Sequence, residues 1–254
     1  MEKQPLITTV DLKKVYRIKS DRTIQEVIAI DNINLKIFKG ETFGVIGESG
    51  SGKTTLGKTI IKLIEPTSGE IYFRNNNLLA LDNRNLRNIR RHFQIVFQDP
   101  YKSLNPRLSV GSAVAESICC SDRKRSTERA KEILQTVGIS PKRYDQYPHQ
   151  FSGGERQRIA IARALSTEPE FIVCDEPTSN LDLSIQAKIL NLFLDLKETL
   201  GLTYLFISHN LQVMKFISDR IAVIYRGKIV EEGETSQIIT HPQHPYTKTL
   251  LSKV

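Results

Sequence analysis

The chain has 254 residues, 39% of them hydrophobic and 25% charged, which is ordinary for a globular protein with one large α/β domain or two small ones. Its longest apolar runs, such as residues 221–225, are far too short to cross a bilayer, and the start of the chain carries no apolar signal-peptide core, so we expect a cytoplasmic protein. Three cysteines are too few for a disulfide framework or a metal site, so reduced thiols are expected at Cys119, Cys120 and Cys174.

The net charge of +8 has two functional explanations, a nucleic-acid-binding face or a surface beside an anionic membrane leaflet. The basic runs at 84–91 and 123–129 are interrupted by Asn, Ser or Glu and are not interleaved with aromatic residues. This pattern favours solvated helix faces. The charge by itself does not decide between the two explanations.

The first elements are predicted to be antiparallel strands, because apolar and polar residues alternate over much of 6–37. An apolar strand at Thr42–Ile46 then leads into a glycine-rich turn and a helix. The apolar positions of that helix are Leu56, Ile60, Ile61 and Ile64.

Downstream, the predicted strands at 171–174 and Thr203–Ser208 flank a helical pattern at 185–200. This alternation predicts an α/β fold with a mostly parallel core sheet covered by helices. Residues 98–167 lack β-rich runs, so we expect a helical subdomain inserted into the core.

The glycine-rich turn carries the first chemical motif. Its string G-E-S-G-S-G-K-T matches the phosphate-binding loop pattern G-x-x-x-x-G-K-[ST], with a strand before it and a helix after it, which disfavours a merely flexible Gly/Ser loop. Glycines let backbone N–H groups turn toward a phosphate, and the helix N-terminus attracts the same anion. Lys53 is expected to reach the β- and γ-phosphates, and the Thr54 hydroxyl to hold Mg²⁺. The predicted nucleotide contacts are Gly47, Glu48, Ser49, Gly50, Ser51, Gly52, Lys53, Thr54 and Thr55.

An acidic pair, Asp175 and Glu176, follows the apolar run at 171–174. Open α/β sheets bind ligands at the carboxyl edge of their strands. Asp175 is placed to contact Mg²⁺ or its water, and Glu176 to orient or deprotonate an attacking water. Such a pair is usually a helix cap or a turn, but together with a phosphate loop it predicts nucleotide hydrolysis.

Residues 151–165, F-S-G-G-E-R-Q-R-I-A-I-A-R-A-L, resemble the signature segment of ATP-binding cassette (ABC) proteins. Ser152, Gly153 and Gly154 precede an Ala-rich helix, which makes a second anion-binding helix N-terminus. The resemblance implies that two chains face each other, with each ATP clamped by Lys53 of one chain and by Ser152 and Gly154 of the other. Glu155 stands where the family most often has Gln; we count it among the expected nucleotide contacts.

The resemblance implies further site residues. Tyr16 is similar to the aromatic residue that stacks on adenine, with a core-packed strand residue as the alternative. Gln98, in V-F-Q-D-P, is similar to the glutamine that reaches the metal and the water. Asp182 belongs to a loop expected to cross the dimer interface beside Glu176. His209 is similar to the histidine that contacts the γ-phosphate, although Asn210 replaces the usual Asp after it, as Asn180 replaces a small residue.

Two segments, 97–107 and the H-P-Q-H-P-Y-T-K-T-L-L string at 241–251, resemble the ATP-binding subunits of dipeptide, oligopeptide and nickel importers. The alternatives are a generic loop and a Pro-rich turn. The resemblance implies a single cassette over 1–254, with an antiparallel N-terminal β subdomain, a helical subdomain at 98–167 and the subfamily motif at 235–254.

The function expected from the resemblance is hydrolysis of Mg-ATP to energise import of oligopeptides or dipeptides, with nickel or a metal–chelator complex as the alternative cargo. The expected cofactors are ATP and Mg²⁺. The expected partners are transmembrane permease subunits, a second ATPase chain of the same or a related kind and, indirectly, an extracellular substrate-binding protein. The chain should act peripherally at the cytoplasmic face of the membrane. It is expected to dock through residues 98–107 and those just after them, where Tyr101, Leu104 and Pro106 offer contacts.

Two functions of other classes are alternatives. A soluble cassette ATPase acting on nucleic acid or ribosomes would use the positive charge directly, but such proteins usually fuse two cassettes or insert long coiled coils, and we expect no nucleic acid partner. An inactive regulatory partner is disfavoured because Lys53, Asp175, Glu176 and His209 are all present.

Overall fold

The computed structural model describes residues 4–20, 23–118 and 122–252. The strands in this part of the chain are β1 (Pro5–Ser20), β2 (Thr23–Phe38), β3 (Thr42–Ile46), β4 (Ser68–Phe73), β5 (Asn76–Asn77), β6 (Phe93–Val96), β7 (Phe171–Asp175), β8 (Thr203–Ser208), β9 (Arg220–Tyr225) and β10 (Lys228–Glu234). The α-helices are α1 (Lys53–Ile60), α2 (Asn83–Arg90), α3 (Pro100–Ser103), α4 (Val110–Ala115), α5 (Arg123–Thr136), α6 (Gly153–Leu165), α7 (Leu183–Leu200), α8 (Leu211–Ile217), α9 (Thr235–Thr240) and α10 (Pro245–Leu251). Short 3-10 helices occupy Pro141–Arg143 and Pro148–Gln150.

The chain divides into two compact units. The first contains the described residues up to 90 and from 201 onward, and the second contains those from 91 to 200.

An antiparallel sheet with the strand order β2-β1-β4-β5 forms one layer of the first unit. β1 and β2 pair along their lengths, which confirms the antiparallel strands predicted for 6–37. The inward side chains of this pair, including Ile7, Leu12, Ile30 and Ile33, are fully buried. β4 pairs with the other edge of β1 and was not expected from the sequence.

The second sheet of the first unit has the order β10-β9-β3-β8. β3 runs parallel to both β8 and β9, and β10 is antiparallel to β9. Every residue of β3 and of β8 is buried, as is typical of parallel strands covered on both faces. The α/β prediction with parallel strands is therefore confirmed, although the sequence did not indicate β9 and β10.

Helix α1 is shorter than its apolar pattern indicated. It ends at Ile60, so the expected helical positions Ile61 and Ile64 lie beyond it. Lys62 has φ 53°, in the left-handed region, and the Leu63 N–H returns to the carbonyl of Lys58 at 2.9 Å. This tight turn ends the helix and directs the chain toward β4.

The second unit contains the parallel pair β6 and β7 together with α3 to α7. Within the described residues of 98–167 the regular elements are all helical, which confirms the predicted local structure; the bounds of a separate subdomain stay a prediction. The exposed arginines and lysines at the start of α5, like those of α2, confirm solvated faces for the basic runs.

No helix in the described part of the chain is both long and apolar enough to span a bilayer. Cys174 is a fully buried free thiol on β7, as expected, and its burial raises its pKa well above the ordinary cysteine value. Cys119 and Cys120 lie outside the described residues.

Candidate active site

The glycine-rich loop between β3 and α1 is closed so tightly that side chains are excluded at several points. A Cβ on Gly47 would lie 2.3 Å from the carbonyl oxygen of Ile224, and one on Gly52 would lie 2.2 Å from that of Ala29. Gly50 and Gly52 have φ of 78° and 107°, a region that favours glycine. The glycines of the motif are therefore required by backbone geometry and by close packing.

Two polar side chains point into this loop. Lys53 is 5% exposed, and its Nζ donates to the carbonyl oxygens of Gly47 at 2.7 Å and Glu48 at 2.8 Å. The Ser51 hydroxyl is buried without a hydrogen-bond partner in the described residues. A buried hydroxyl in that condition is suited to an added oxygen ligand such as a phosphate. The loop thus fits a phosphate group.

Strand register brings His209 to the phosphate loop. β3 and β8 run parallel with Ile46 opposite Ser208. The next residues, Gly47 and His209, therefore leave the sheet side by side at its carboxyl edge, and the His209 side chain is exposed there.

Tyr16 lies on β1 and is 36% exposed, with the Lys14 ammonium 5.1 Å from its ring centroid. The alternative of a core-packed aromatic residue is wrong. Stacking of Tyr16 on adenine stays a prediction.

In the second unit, register brings Gln98 and Glu176 to the same edge. β6 and β7 run parallel with Val96 opposite Cys174, so Gln98 and Glu176 are each the second residue beyond this pair. Asp175 is 6% exposed at the end of β7. Glu176 has φ 49°, which is strained for a residue with a side chain, and such strain is concentrated at functional sites.

The signature residues form the start of α6. Ser152 is the N-cap of this helix, Gly153 is exposed, and Gly154 is buried. A Cβ on Gly154 would lie 2.4 Å from Ile185 Cγ2, so a larger residue would displace the Ile185 side chain where α6 meets the start of α7. The structure therefore brings the signature and the segment around Asp182 together.

The Glu155 side chain caps the N-terminus of its own helix. Its carboxylate accepts the Ser152 N–H at 2.9 Å while the Ser152 hydroxyl accepts the Glu155 N–H at 3.3 Å, forming a capping box. Glu155 also pairs with the Arg143 guanidinium, which lies 3.9 Å from the Phe151 ring centroid. Sequence reasoning gave Arg143 no role, because the two residues meet only through the turns between them.

Asp182 and Asn210 cap the helices that follow them. The Asp182 carboxylate accepts the Ile185 N–H at 3.1 Å and the Ser184 hydroxyl at 2.9 Å, and the Ile185 hydrogen bond is the main reason why the pKa of Asp182 is lowered. Asn210 caps α8 by accepting from Gln212 N at 2.9 Å. Asn and Asp are comparable caps, so the departure at 210 preserves the local structure.

The segment expected to dock on a membrane partner is only partly exposed. Tyr101 is 63% exposed, with the Arg156 guanidinium 4.0 Å from its ring centroid, and Pro106 is exposed. Leu104 is 3% exposed, so the prediction that it offers a surface contact is wrong. Its N–H donates to the Pro100 carbonyl at 3.1 Å where α3 ends, and its side chain is buried.

The C-terminal motif also reaches the site. Tyr246, on α10, accepts a hydrogen bond from the Glu48 N–H of the phosphate loop at 3.1 Å. The H-P-Y-T string by itself indicates only the resemblance to importer subunits. A tyrosine next to a helix start carries no sequence signal for a contact with a loop almost 200 residues away.

Comparison with known proteins agrees with this geometry. The dipeptide transport ATP-binding protein DppF of Haemophilus influenzae is 46% identical over 99% of this chain and 78% of that protein. The oligopeptide transport ATP-binding protein OppF of Bacillus subtilis is 48% identical over 90% and 76%.

A solved dimer of the ATP-binding cassette MJ0796, in a post-hydrolysis state with ADP and Pi bound, has a TM-score of 0.79 at 32% identity, covering 90% of this chain and 98% of its own. The family model described as ABC transporter matches residues 30–179. The chain accordingly belongs to the ABC transporter family, as an ATP-binding cassette of the kind whose members are ATPases.

Proposed function

We propose that this chain hydrolyses Mg-ATP to drive a membrane importer of dipeptides or oligopeptides. The phosphate loop carries the proposal: its glycines exclude side chains, and the buried Ser51 hydroxyl and the anchored Lys53 ammonium offer a hydrogen bond and a positive charge to a phosphate anion. Lys53 and the loop amides would hold the β- and γ-phosphates.

The proposed metal site has a hydroxyl, an amide and a carboxylate oxygen as donors, and Mg²⁺ prefers oxygen ligands of this kind. Thr54, Gln98 and Asp175 are the residues that would hold it. Bound there, Mg²⁺ would neutralise charge on the β- and γ-phosphates.

The chain's own residues would supply the remaining chemistry. Glu176 orients a water for in-line attack on the γ-phosphorus and accepts its proton, so that the bond to the β-phosphate oxygen breaks and ADP and phosphate leave. His209 contacts the γ-phosphate. Its side-by-side position with Gly47 at the end of β3 supports this role.

The signature supports a working dimer. Ser152 and Gly154 stand at the N-terminus of α6, a helix whose positive end suits a phosphate. We propose that they bind the nucleotide held by a second ATPase chain, with Asp182 near the interface. The dimeric state of the solved MJ0796 cassette supports this arrangement.

We place the permease contact at 98–107. Beside this segment a cleft of about 310 Å³ is lined by residues that include Phe97, Ser103 and Arg163. Exposed Tyr101 and Pro106 are nearby in the chain, and a few such anchors supply most of the energy of an interface. Docking there would hold the chain at the cytoplasmic face of the membrane, where the +8 charge suits anionic lipid.

The cargo is proposed from the relatives named for dipeptide and oligopeptide transport. Uptake would also require an extracellular substrate-binding protein. Deleting the gene should abolish peptide uptake; loss of nickel or metal-chelate uptake with intact peptide uptake would replace the cargo assignment.

The hydrolysis assignment is tested with two variants of the assembled transporter. Glu176→Gln should still bind ATP but hydrolyse it at least about 100-fold more slowly, as expected for loss of a positioned base. Lys53→Ala should instead weaken ATP binding itself. Near-normal turnover by the first variant, or normal ATP affinity of the second, would contradict the proposed site.

A further inference from the structure

The C-terminal segment 241–251 has no role in the proposed reaction, yet it contacts the phosphate loop. The backbone N–H of Glu48 donates to the Tyr246 hydroxyl at 3.1 Å. Glu48 is the second residue of the loop, so this hydrogen bond joins α10 directly to the backbone that would surround the phosphates.

The peptide bond between Gly47 and Glu48 takes part in two contacts. Its N–H donates to Tyr246, and its carbonyl accepts from Lys53 Nζ at 2.7 Å. Because a peptide unit is planar, fixing the direction of the N–H also fixes the direction of the carbonyl. The Tyr246 hydroxyl therefore orients the carbonyl that holds the Lys53 ammonium.

Tyr246 is itself held in place. Its ring packs on that of Tyr225, with 4.1 Å between centroids and 31° between planes. Tyr225 ends β9, which runs parallel to β3 with Val223 opposite Ile46. Tyr225 and Glu48 are each two residues further on, so the ring pair stands at the same sheet edge as the loop.

The start of α10 is also fixed. His244 is the N-cap, with its Nδ1 accepting the Tyr246 N–H at 3.1 Å, and Pro245 occupies the first helical position, where a missing N–H costs nothing. The carboxylate of Glu231, on β10, accepts the N–H groups of Gln243 at 2.7 Å and His244 at 3.0 Å. The H-P-Y string thus places the tyrosine hydroxyl on the loop.

We propose that residues 241–251 support the phosphate loop and that Tyr246 is a positioning residue. It orients the Gly47–Glu48 peptide, whose carbonyl holds the Lys53 ammonium in place for the phosphates of ATP. The inference rests on the proposed function and deepens it. A support of this kind raises affinity for nucleotide and leaves the chemical step unchanged, since Tyr246 acts through the loop backbone.

Tyr246→Phe removes the hydroxyl and retains the ring stack. In the purified full chain we expect the Kd for Mg-ATP to rise about three- to tenfold, as for loss of one hydrogen bond, and the Kd for ADP to rise similarly. Tyr225→Phe is the matched control, because it keeps both the ring pair and the Glu48 contact, and its Kd should equal that of the wild type. Glu231→Ala, which releases the start of α10, should weaken binding in the same direction.

Stability and turnover separate positioning from general damage. Without nucleotide, the thermal midpoint of Tyr246→Phe should stay within about 2 °C of the wild type. In the assembled transporter KM for ATP should rise while kcat stays within about twofold. A wild-type chain that binds ATP with the same Kd as Tyr246→Phe, or an equal loss in Tyr225→Phe, overturns this inference alone. A wild-type chain that binds no Mg-ATP overturns it together with the proposed function.

Discussion

The ion pair between Arg143 and Glu155 is expected to stabilise the start of α6, and its contribution to the free energy of unfolding can be measured. The Glu155 carboxylate accepts the Ser152 N–H at 2.9 Å and bonds the Arg143 guanidinium, which also donates to Gln146 Oε1 at 2.6 Å and to the Gln150 carbonyl at 3.2 Å. The Arg143 side chain thus ties the turns before the signature to its first helical residues. Replacing Glu155 by Gln removes the charge, whereas replacing it by Ala removes the cap as well.

The two replacements differ in expected cost. The Arg143 and Glu155 side chains are 31% and 34% exposed, so solvent screening limits their pairing to about 0.5–1 kcal/mol. Loss of the capping acceptor adds about 0.5–2 kcal/mol. We therefore expect the free energy of unfolding at pH 7 to fall by about 0.5–1 kcal/mol in Glu155→Gln and by about 1–3 kcal/mol in Glu155→Ala.

Urea denaturation of the two single variants and a double-mutant cycle with Arg143→Met would measure the coupling. We expect a coupling energy of about 0.5–1 kcal/mol that falls in 1 M salt, where the Debye length is about 3 Å. A coupling energy below about 0.2 kcal/mol at low salt would refute the reasoning, because an ion pair on this geometry should exceed that value.

Low pH should remove the stability that Glu155 provides relative to Gln at this position. Its pKa is lowered, mainly by the Ser152 N–H and further by Arg143, against the opposing effect of burial. A carboxylate with a lower pKa in the folded state stabilises the protein above the unfolded pKa of about 4.3 and loses this contribution as the pH falls through the folded value. The difference between wild type and Glu155→Gln should therefore shrink below about pH 4, and a growing difference would contradict this origin.

Three further substitutions test other parts of the structure. Gly47→Ala should abolish ATP binding measured by titration, because its Cβ would be forced to 2.3 Å from the Ile224 carbonyl; retained affinity would mean that the loop adapts. Leu104→Ala should lower the free energy of unfolding by about 2–5 kcal/mol in urea denaturation, since the residue is 3% exposed. A change near zero would mean that the Leu104 side chain is not buried. Asn210→Asp should leave the thermal midpoint nearly unchanged while Asn210→Ala costs about 1 kcal/mol, and equal losses would show that the side-chain cap at α8 is unimportant.

The sequence predicted the buried strands that precede the candidate site residues. The strand before Gly47, the strand before Asp175 and the strand before His209 are all buried, because continuous apolar runs ending in polar residues permit few other placements. Parallel pairing then puts the residues after each pair of strands at one edge, as β3 with β8 and β6 with β7 show. These elements required no long-range information beyond the order of strands.

What the sequence did not predict depends on tertiary contacts. β4 and β10 carry glycine and charged residues, and they form strands because β1 and β9 offer them an edge. The burial of Leu104 and the pairing of Arg143 with Glu155 depend on how short turns fold back on the helices. α1 has a continuous apolar pattern past its end, and only the left-handed Lys62 terminates it.

The backbone at Glu176 also determines how tests of this position should be designed. With φ 49° the residue is in a region that β-branched side chains strongly disfavour and that Asn, Asp and Gly tolerate best. A set of variants with every amino acid at position 176 would therefore differ in two properties, the ability to fold and the rate of ATP turnover. Val and Ile variants should be lost at the expression step, whereas Gly, Asn and Gln variants should reach the assay as folded proteins. Measuring soluble yield together with ATP turnover would separate the two effects. Only variants that fold are informative about the role of Glu176 in hydrolysis.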